Sequence, residues 1–157
     1  MISRFKFNGV QEVQKGTERI RIPIHPSIVL QNGGPIINVN ITHSQKVLAE
    51  LAKQGKQPQS YACQALIDTG AFSCVISPKV AQILGLLQTG FKNIKSVHTE
   101  EERPVFLGCV VFPWGSGKDV PLVSCELRGF DCIIGRDVMR HWYMTYDGAS
   151  GELTICD

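Results

Sequence analysis

The chain has 157 residues, 43% of them hydrophobic and 19% charged, which is the length of one domain with a core of its own. Its formal net charge is only +2 and its basic residues are scattered, which argues against a nucleic-acid-binding surface. No apolar run approaches the roughly 20 residues of a membrane span, and residues 1–7 lack the apolar core of a signal peptide. We therefore expect one soluble, cytoplasmic domain, residues 1–157, with no nucleic-acid or membrane partner.

Metal and thiol chemistry are not supported either. The six cysteines lie in or beside apolar runs, where a reduced thiol behaves as a small hydrophobic group. No two of them have the Cys-x2-4-Cys spacing of a zinc site, and the four histidines are dispersed. Cys74 lies in an apolar strand, which predicts an inert thiol rather than a nucleophile. We expect no metal and no cofactor.

The N-terminal part is irregular. Residues 1–19 are polar and weakly patterned, and we treat them as an N-terminal extension. Residues 19–30 indicate one or two strands, which Pro23 and Pro26 restrict to a sheet edge or a bend. Apolar residues then alternate with asparagines at 37–41, which predicts a strand with one buried face.

Residues 42–60 break this alternation and are interpreted as an insertion at a hairpin tip. Ser44 can cap a short helix with apolar residues on one side, which ends near Gly55. After the insertion, residues 61–67 predict a strand that leads into a turn at 68–71.

A second short helix and several hairpins are predicted beyond that turn. Ser77-Pro78 is a helix-start signal, and the helix is expected to end near Gly85. Strands at 91–97 and 104–112 bracket a charged tip that contains three glutamates. Further strands are expected at 120–127, 132–134, 142–146 and 152–156, with a helical turn at 138–141. The pattern as a whole predicts a mostly β fold.

One turn carries a distinctive motif, Leu66-Ile67-Asp68-Thr69-Gly70-Ala71. An Asp-Thr-Gly turn alone is weak evidence, because such a tripeptide also occurs by chance in an ordinary β-turn. Here it follows an apolar strand and is answered later by Ile133-Ile134-Gly135-Arg136-Asp137. This combination of features is much less expected by chance than the Asp-Thr-Gly turn alone.

The two motifs, the helix after the next strand and the later hairpin resemble the retropepsin family, which comprises retroviral proteases and related single-domain proteases and ubiquitin-shuttle domains of cells. The resemblance covers roughly residues 36–156. It implies a closed β-barrel with one short helix after the Asp-Thr-Gly strand, active as a homodimer. It also implies that Asp68 is catalytic, that Thr69 links the active-site loops of two subunits, and that Gly70 and Ala71 let a substrate backbone approach.

The chemistry of this family explains why a dimer is expected. One carboxylate takes a proton from water while a second carboxyl group donates a proton to the scissile carbonyl, so a single aspartate is insufficient. Since the chain has one Asp-Thr-Gly motif, the second carboxyl group must come from another copy. The expected activity is that of an aspartic endopeptidase acting on an extended polypeptide. The alternative is a proteolytically silent module that dimerises or binds peptides.

The resemblance also assigns less certain positions. The flap is expected at residues 95–104, where Lys95, Ser96, Val97 and His98 are candidate substrate-binding residues. The last strand, residues 153–156, is the candidate for pairing with its mate in the dimer.

Some features depart from the retroviral pattern. Glu100, Glu101 and Glu102 occupy the presumed flap tip, where retroviral members usually have glycines. Retroviral members also tend to carry an acidic residue shortly after the Asp-Thr-Gly-Ala run that pairs with the late arginine. Here Phe72 and Ser73 offer no acid, so Arg136 needs another partner.

Two other acidic residues have structural interpretations. Asp137 is expected to cap a helix or to accept a hydrogen bond beneath the site. Asp147-Gly148 is foremost a hairpin signal rather than a second catalytic loop.

Overall fold

The structure is a computed structural model that describes residues 1–95 and 100–157. Its fold is mostly β, as predicted from the sequence. The chain divides into two compact units, one formed by residues 1–36 with 141–157 and the other by residues 37–140. Within the described part, no helix is both long and apolar enough to cross a membrane.

The described residues contain twelve strands and four helices. The strands are β1 (Ile2–Lys6), β2 (Gly9–Lys15), β3 (Glu18–Ile24), β4 (Ile36–His43), β5 (Ser60–Ile67), β6 (Val75–Ile76), β7 (Leu87–Lys95), β8 (Glu100–Val111), β9 (Gly117–Ser124), β10 (Cys132–Ile134), β11 (Tyr143–Asp147) and β12 (Glu152–Cys156). The helices are α1 (Pro26–Gly33), α2 (Gln45–Lys53), α3 (Pro78–Leu84) and α4 (Arg136–Met139).

The first unit contains the antiparallel hairpin β2–β3 and a three-stranded sheet in the order β1-β12-β11. The turn between β11 and β12 is closed by Asp147, whose Oδ1 accepts the backbone N–H groups of Ala149 and Ser150. This agrees with the hairpin interpretation of Asp147-Gly148. Because β12 is the middle strand, both of its edges are occupied. The expectation that residues 153–156 pair with their mate in a dimer is therefore wrong for this arrangement.

The prediction that strand structure extends from residue 19 to residue 30 is wrong beyond Ile24, because Pro26 begins helix α1. Proline is favourable in the first helical turn, where its missing N–H has no helical partner to lose. The Nδ1 atom of His25 accepts the N–H of Ser27 at 3.3 Å and caps this end.

The second unit is a seven-stranded sheet in the order β4-β5-β10-β6-β9-β8-β7, in which β4 also pairs with β8. The alternating residues Ile37, Val39 and Ile41 of β4 are almost fully buried, as their spacing predicts. Helix α2 lies in the 42–60 insertion, whose ends are joined by the Thr42 hydroxyl donating to the Gln59 carbonyl at 2.7 Å.

Helix α3 follows β6 and buries Val80, Ala81 and Leu84. It ends at Gly85, whose positive φ of 58° is the left-handed conformation that closes many helices. Both predicted short helices of this unit are therefore present.

The hairpin β7–β8 differs from its predicted form. Glu100, Glu101 and Glu102 lie within β8, opposite Lys95, Ile94 and Asn93. They are therefore strand residues rather than the tip of a turn, and Lys95 compensates the charge of Glu100 through a 3.4 Å ion pair.

A polar cluster around Asp131 connects three elements of the second unit. The carboxylate of Asp131 accepts hydrogen bonds from the hydroxyls of Tyr61 on β5 and Ser77 before α3, both at 2.9 Å. The ammonium of Lys79 lies 3.8 Å away. Burial alone would raise the pKa of Asp131, but the two hydroxyl donors and the Lys79 charge together lower it below its ordinary value.

We predict that Asp131→Asn lowers the free energy of unfolding by about 1 kcal/mol near neutral pH, because charged acceptors form the stronger hydrogen bonds. A carboxylate with a lowered pKa stabilises the fold above its unfolded pKa, and this contribution disappears as the pH falls through the folded pKa. Thermal unfolding of both proteins between about pH 7 and pH 3 should show a difference that shrinks in acid. A difference that is constant with pH would contradict the prediction.

Candidate active site

The Asp-Thr-Gly turn begins where β5 ends, beside the short strand β10. Strand β10 pairs in parallel with β5, with Ile134 opposite Ile67, and antiparallel with β6 on its other side. The backbone N–H of Asp68 continues this ladder by donating to the Ile134 carbonyl at 3.1 Å. This hydrogen bond therefore fixes Asp68 at the point where the chain leaves the sheet after β5.

The loop then turns tightly around the Asp68 side chain. The Gly70 N–H donates to Asp68 Oδ1 at 2.8 Å, and the Ala71 N–H donates to the Asp68 carbonyl at 3.1 Å. A Cβ atom at Gly70 would lie 3.1 Å from Oδ1, so a side chain there would crowd the carboxylate. Asp68 is half-buried while Thr69 and Gly70 are exposed. The carboxylate is therefore oriented by the backbone and still reachable from solvent.

The later of the two sequence motifs, Ile133 to Asp137 (the late motif), packs closely against this loop. A Cβ atom at Gly135 would lie 2.4 Å from the Ser73 carbonyl carbon and 2.6 Å from its oxygen, so only glycine permits this approach. The next residue, Arg136, donates its backbone N–H to the Ala71 carbonyl at 2.9 Å. The two motifs, distant in sequence, thus form one backbone-to-backbone contact.

Asp137 completes the contact from the side. Its Oδ2 accepts a hydrogen bond from the Cys74 N–H at 3.0 Å, and its Oδ1 accepts one from the Cys74 thiol at 3.1 Å. Asp137 thus accepts hydrogen bonds beneath the site, the role expected from its position. Burial, with a smaller contribution from the Asp137 charge, raises the pKa of Cys74 far above its ordinary value. A thiol held protonated is a poor nucleophile, as expected for Cys74.

Phe72 explains how Arg136 is accommodated without an acidic neighbour in the loop. The Arg136 guanidinium lies 5.8 Å from the centre of the Phe72 ring, and the Lys92 ammonium lies 4.7 Å from it. Both distances are typical of cation–π contacts. Lys92 also donates a 2.5 Å hydrogen bond to the Ser73 hydroxyl.

A pocket of about 530 Å³ opens at these residues, beside the loop. Its volume lies within the range typical of small-ligand sites. It is lined by Phe72, Ser73, Lys92, Val105, Pro121, Val123, Arg136, Asp137 and Arg140.

The predicted site residues divide into two groups. Asp68, Thr69, Gly70 and Ala71 are brought together by the loop itself. Lys95 is exposed at the end of β7 and pairs with Glu100, while Ser96, Val97 and His98 lie outside the described residues.

Lys92 was not predicted from the sequence. A signal existed, because period-two alternation puts Lys92 on the same strand face as the half-buried Ile94, away from the exposed Phe91 and Asn93. Among the described residues, no cluster of histidine, cysteine and acidic side chains can hold a metal ion.

No protein-family model and no curated protein matches the chain. Several solved structures do match in fold. They include two proteases and one retroviral protease-like domain.

The first is EIAV protease complexed with the inhibitor HBY-793, at 17% identity and a TM-score of 0.48, covering 68% of this chain and 86% of the other. The second is a retropepsin-like aspartic protease from Rickettsia conorii, at 13% identity and a TM-score of 0.45, covering 77% and 91%. The third is the retroviral protease-like domain of Ddi1 from Leishmania major, at 15% identity and a TM-score of 0.40, covering 71% and 81%.

The contact at Gly135 generates a stability prediction. Gly135→Ala should lower the free energy of unfolding by about 1 to 3 kcal/mol or more, because the new methyl group overlaps the Ser73 backbone. Gly90→Ala is the matched control, since no atom lies within 4 Å of a Cβ built there. Chemical denaturation of both variants measures the difference. Equal stability of the two variants would show that the motifs are not packed this closely.

Proposed function

We propose that this protein is an aspartic endopeptidase of the retropepsin type, in which Asp68 from each of two copies activates the hydrolytic water. The observation that carries the proposal is the loop around Asp68. Its carboxylate is oriented by the Gly70 N–H at 2.8 Å and remains partly accessible, while the late motif holds the loop through the Arg136 N–H. A purely structural aspartate has no need of this exposure.

The proposed chemistry follows from two such carboxyl groups at close range. Both cannot ionise comfortably, so they share one proton and titrate as a pair. The ionised member takes a proton from water, and the protonated member donates to the oxygen of the scissile carbonyl. In the tetrahedral intermediate, the carboxyl group that took the proton from water gives it to the amide nitrogen. The C–N bond then breaks, the added hydroxyl proton returns to the other carboxylate, and an amine and a new carboxyl group are released. Neither a metal nor a cofactor enters this scheme.

Homodimerisation is part of the proposal, because the chain has one Asp-Thr-Gly loop. Thr69, exposed next to Asp68, is the proposed link between the loops of the two copies. The closed barrel that the family resemblance implies is supported by the additional pairing of β4 with β8. The dimer contact must use surfaces other than the edges of β12, which are occupied by β1 and β11.

The proposed substrate is an extended polypeptide that lies across the exposed loop. Gly70 has no side chain, so a substrate backbone can approach closely there. Lys95, Ser96, Val97 and His98 stay the proposed flap contacts, and main-chain pairing with a flap strand would provide affinity. We also propose a reducing compartment, such as the cytoplasm, because all six cysteines are free thiols.

Cleavage of a diverse peptide library between acid and neutral pH tests this function. Wild-type protein should cleave peptides and be blocked by a statine-type transition-state inhibitor. Asp68→Asn should reduce kcat/KM by at least about a thousandfold, because an amide cannot accept the proton of the water.

The control is the physical state of the variant. Asp68→Asn must show the thermal unfolding and the oligomeric state of the wild type, so that lost activity reports chemistry rather than folding. No cleavage at any pH by a folded wild-type dimer would contradict the proposal and favour the proteolytically silent, peptide-binding module.

A further inference from the structure

We infer that the pocket beside the catalytic loop is a subsite for an acidic side chain of the substrate, with Lys92 as its specificity-determining residue. This inference rests on the proposed endopeptidase function and gives it a substrate class. The pocket lies within the second unit and is lined by residues that follow the Asp-Thr-Gly loop, by Lys92 of β7 and by the late motif.

The first argument is the convergence of positive charge. Lys92 and Arg136 approach the same Phe72 ring at 4.7 and 5.8 Å, so the two charged groups lie no more than 10.5 Å apart, the sum of the two distances. Lys92 also stands directly across from Arg103 on β8, and like charges directly opposite each other destabilise a sheet. Cationic groups this close together form a positive region that attracts an anion.

The acidic groups nearby are already engaged. Arg103 is paired with Glu101. Asp137, the one acidic residue among the described residues that line the pocket, accepts hydrogen bonds from the N–H and thiol of Cys74 and from the Val138 N–H. In the part of the chain that the structure describes, no carboxylate forms an ion pair with Lys92. An ammonium has three donors, and the Ser73 hydroxyl uses one of them. Lys92 therefore keeps donors for a ligand.

The second argument is the shape and chemistry of the walls. Val105 and Val123 are buried and give the pocket an apolar floor, whereas Phe72 is 68% exposed. An apolar pocket with a few charged groups is typical of a site that binds one side chain and orients its polar end. A glutamate fits this arrangement, since its methylenes meet the apolar floor and its carboxylate meets Lys92.

The third argument is the distance from the reacting bond. Phe72 follows Asp68 by four residues, and a chain segment of this length spans at most about 14 Å. An extended substrate advances roughly 3.3 Å per residue, so the pocket accepts a side chain within about four residues of the cleaved bond.

Matched peptides test the inference. Starting from the best substrate of the library, glutamate or glutamine is introduced at each of the four positions on either side of the cleaved bond. At one position, wild-type protein should cleave the glutamate peptide with about tenfold higher kcat/KM, the usual effect of a charge-assisted hydrogen bond. The assay is run above about pH 5, where glutamate is ionised.

Lys92→Glu should reverse this preference, so that a lysine peptide becomes better than the glutamate peptide. Lys92→Gln should reduce the ratio to about one, and it serves if charge reversal impairs folding. Lys53→Glu is the control, because it makes the same charge change at an exposed lysine of α2, outside the pocket lining. Comparing ratios within each variant cancels any general effect on catalysis.

Equal cleavage of all glutamate and glutamine pairs by the wild type, or a preference that survives in Lys92→Glu, would overturn the inference and leave the endopeptidase function intact. Absence of any cleavage would instead contradict the proposed function. In that case, Asp68→Asn is screened for binding of the same library, and the tightest-bound peptide is remade with glutamate or glutamine at each position. Binding of each pair, measured by fluorescence anisotropy, decides about the pocket. About tenfold tighter binding of the glutamate peptide supports it, and equal binding refutes it.

Discussion

The contact between Gly135 and the backbone of Ser73 and Cys74 is the constraint on which the site depends. It brings together two segments that are distant in sequence, and it requires a glycine because any Cβ would overlap the Ser73 carbonyl. Once this contact is made, the Arg136 N–H reaches the Ala71 carbonyl and Asp137 reaches the Cys74 N–H. These contacts fix the position of the loop, while the Asp68 carboxylate remains partly accessible to solvent.

The late motif also lines the pocket beside the loop, through Arg136 and Asp137. Arg136, in this motif, lies next to Phe72, and its guanidinium shares the aromatic ring with Lys92 of β7. The proposed catalytic residue and the proposed subsite therefore both depend on the late motif for their positions. In our proposal, the positive charge beside this ring binds the acidic side chain of the substrate.

Local patterns in the sequence predicted much of the fold. Alternation at 37–41, the Ser77-Pro78 helix start and the Asp147-Gly148 turn all report on neighbouring residues, and each element is present. The strand expected up to residue 30 was wrong because Pro26, interpreted as a strand interruption, is equally suited to a first helical turn. Features that depend on distant partners were not predictable in this way. The two neighbours of β12 and the contact of Lys92 with Phe72 arise only when the chain folds.

The central claim is that each active site needs Asp68 from two copies, and subunit mixing tests it most directly. Wild-type protein at fixed concentration is unfolded, refolded with increasing amounts of Asp68→Asn, and assayed on a cleavable peptide. If two carboxylates form one site, mixed dimers are inactive, and activity should fall to about one tenth at a ninefold excess of the variant. Activity that stays constant or rises toward about twice its starting value while mixed dimers are shown to form would contradict the account, because one Asp68 would then suffice.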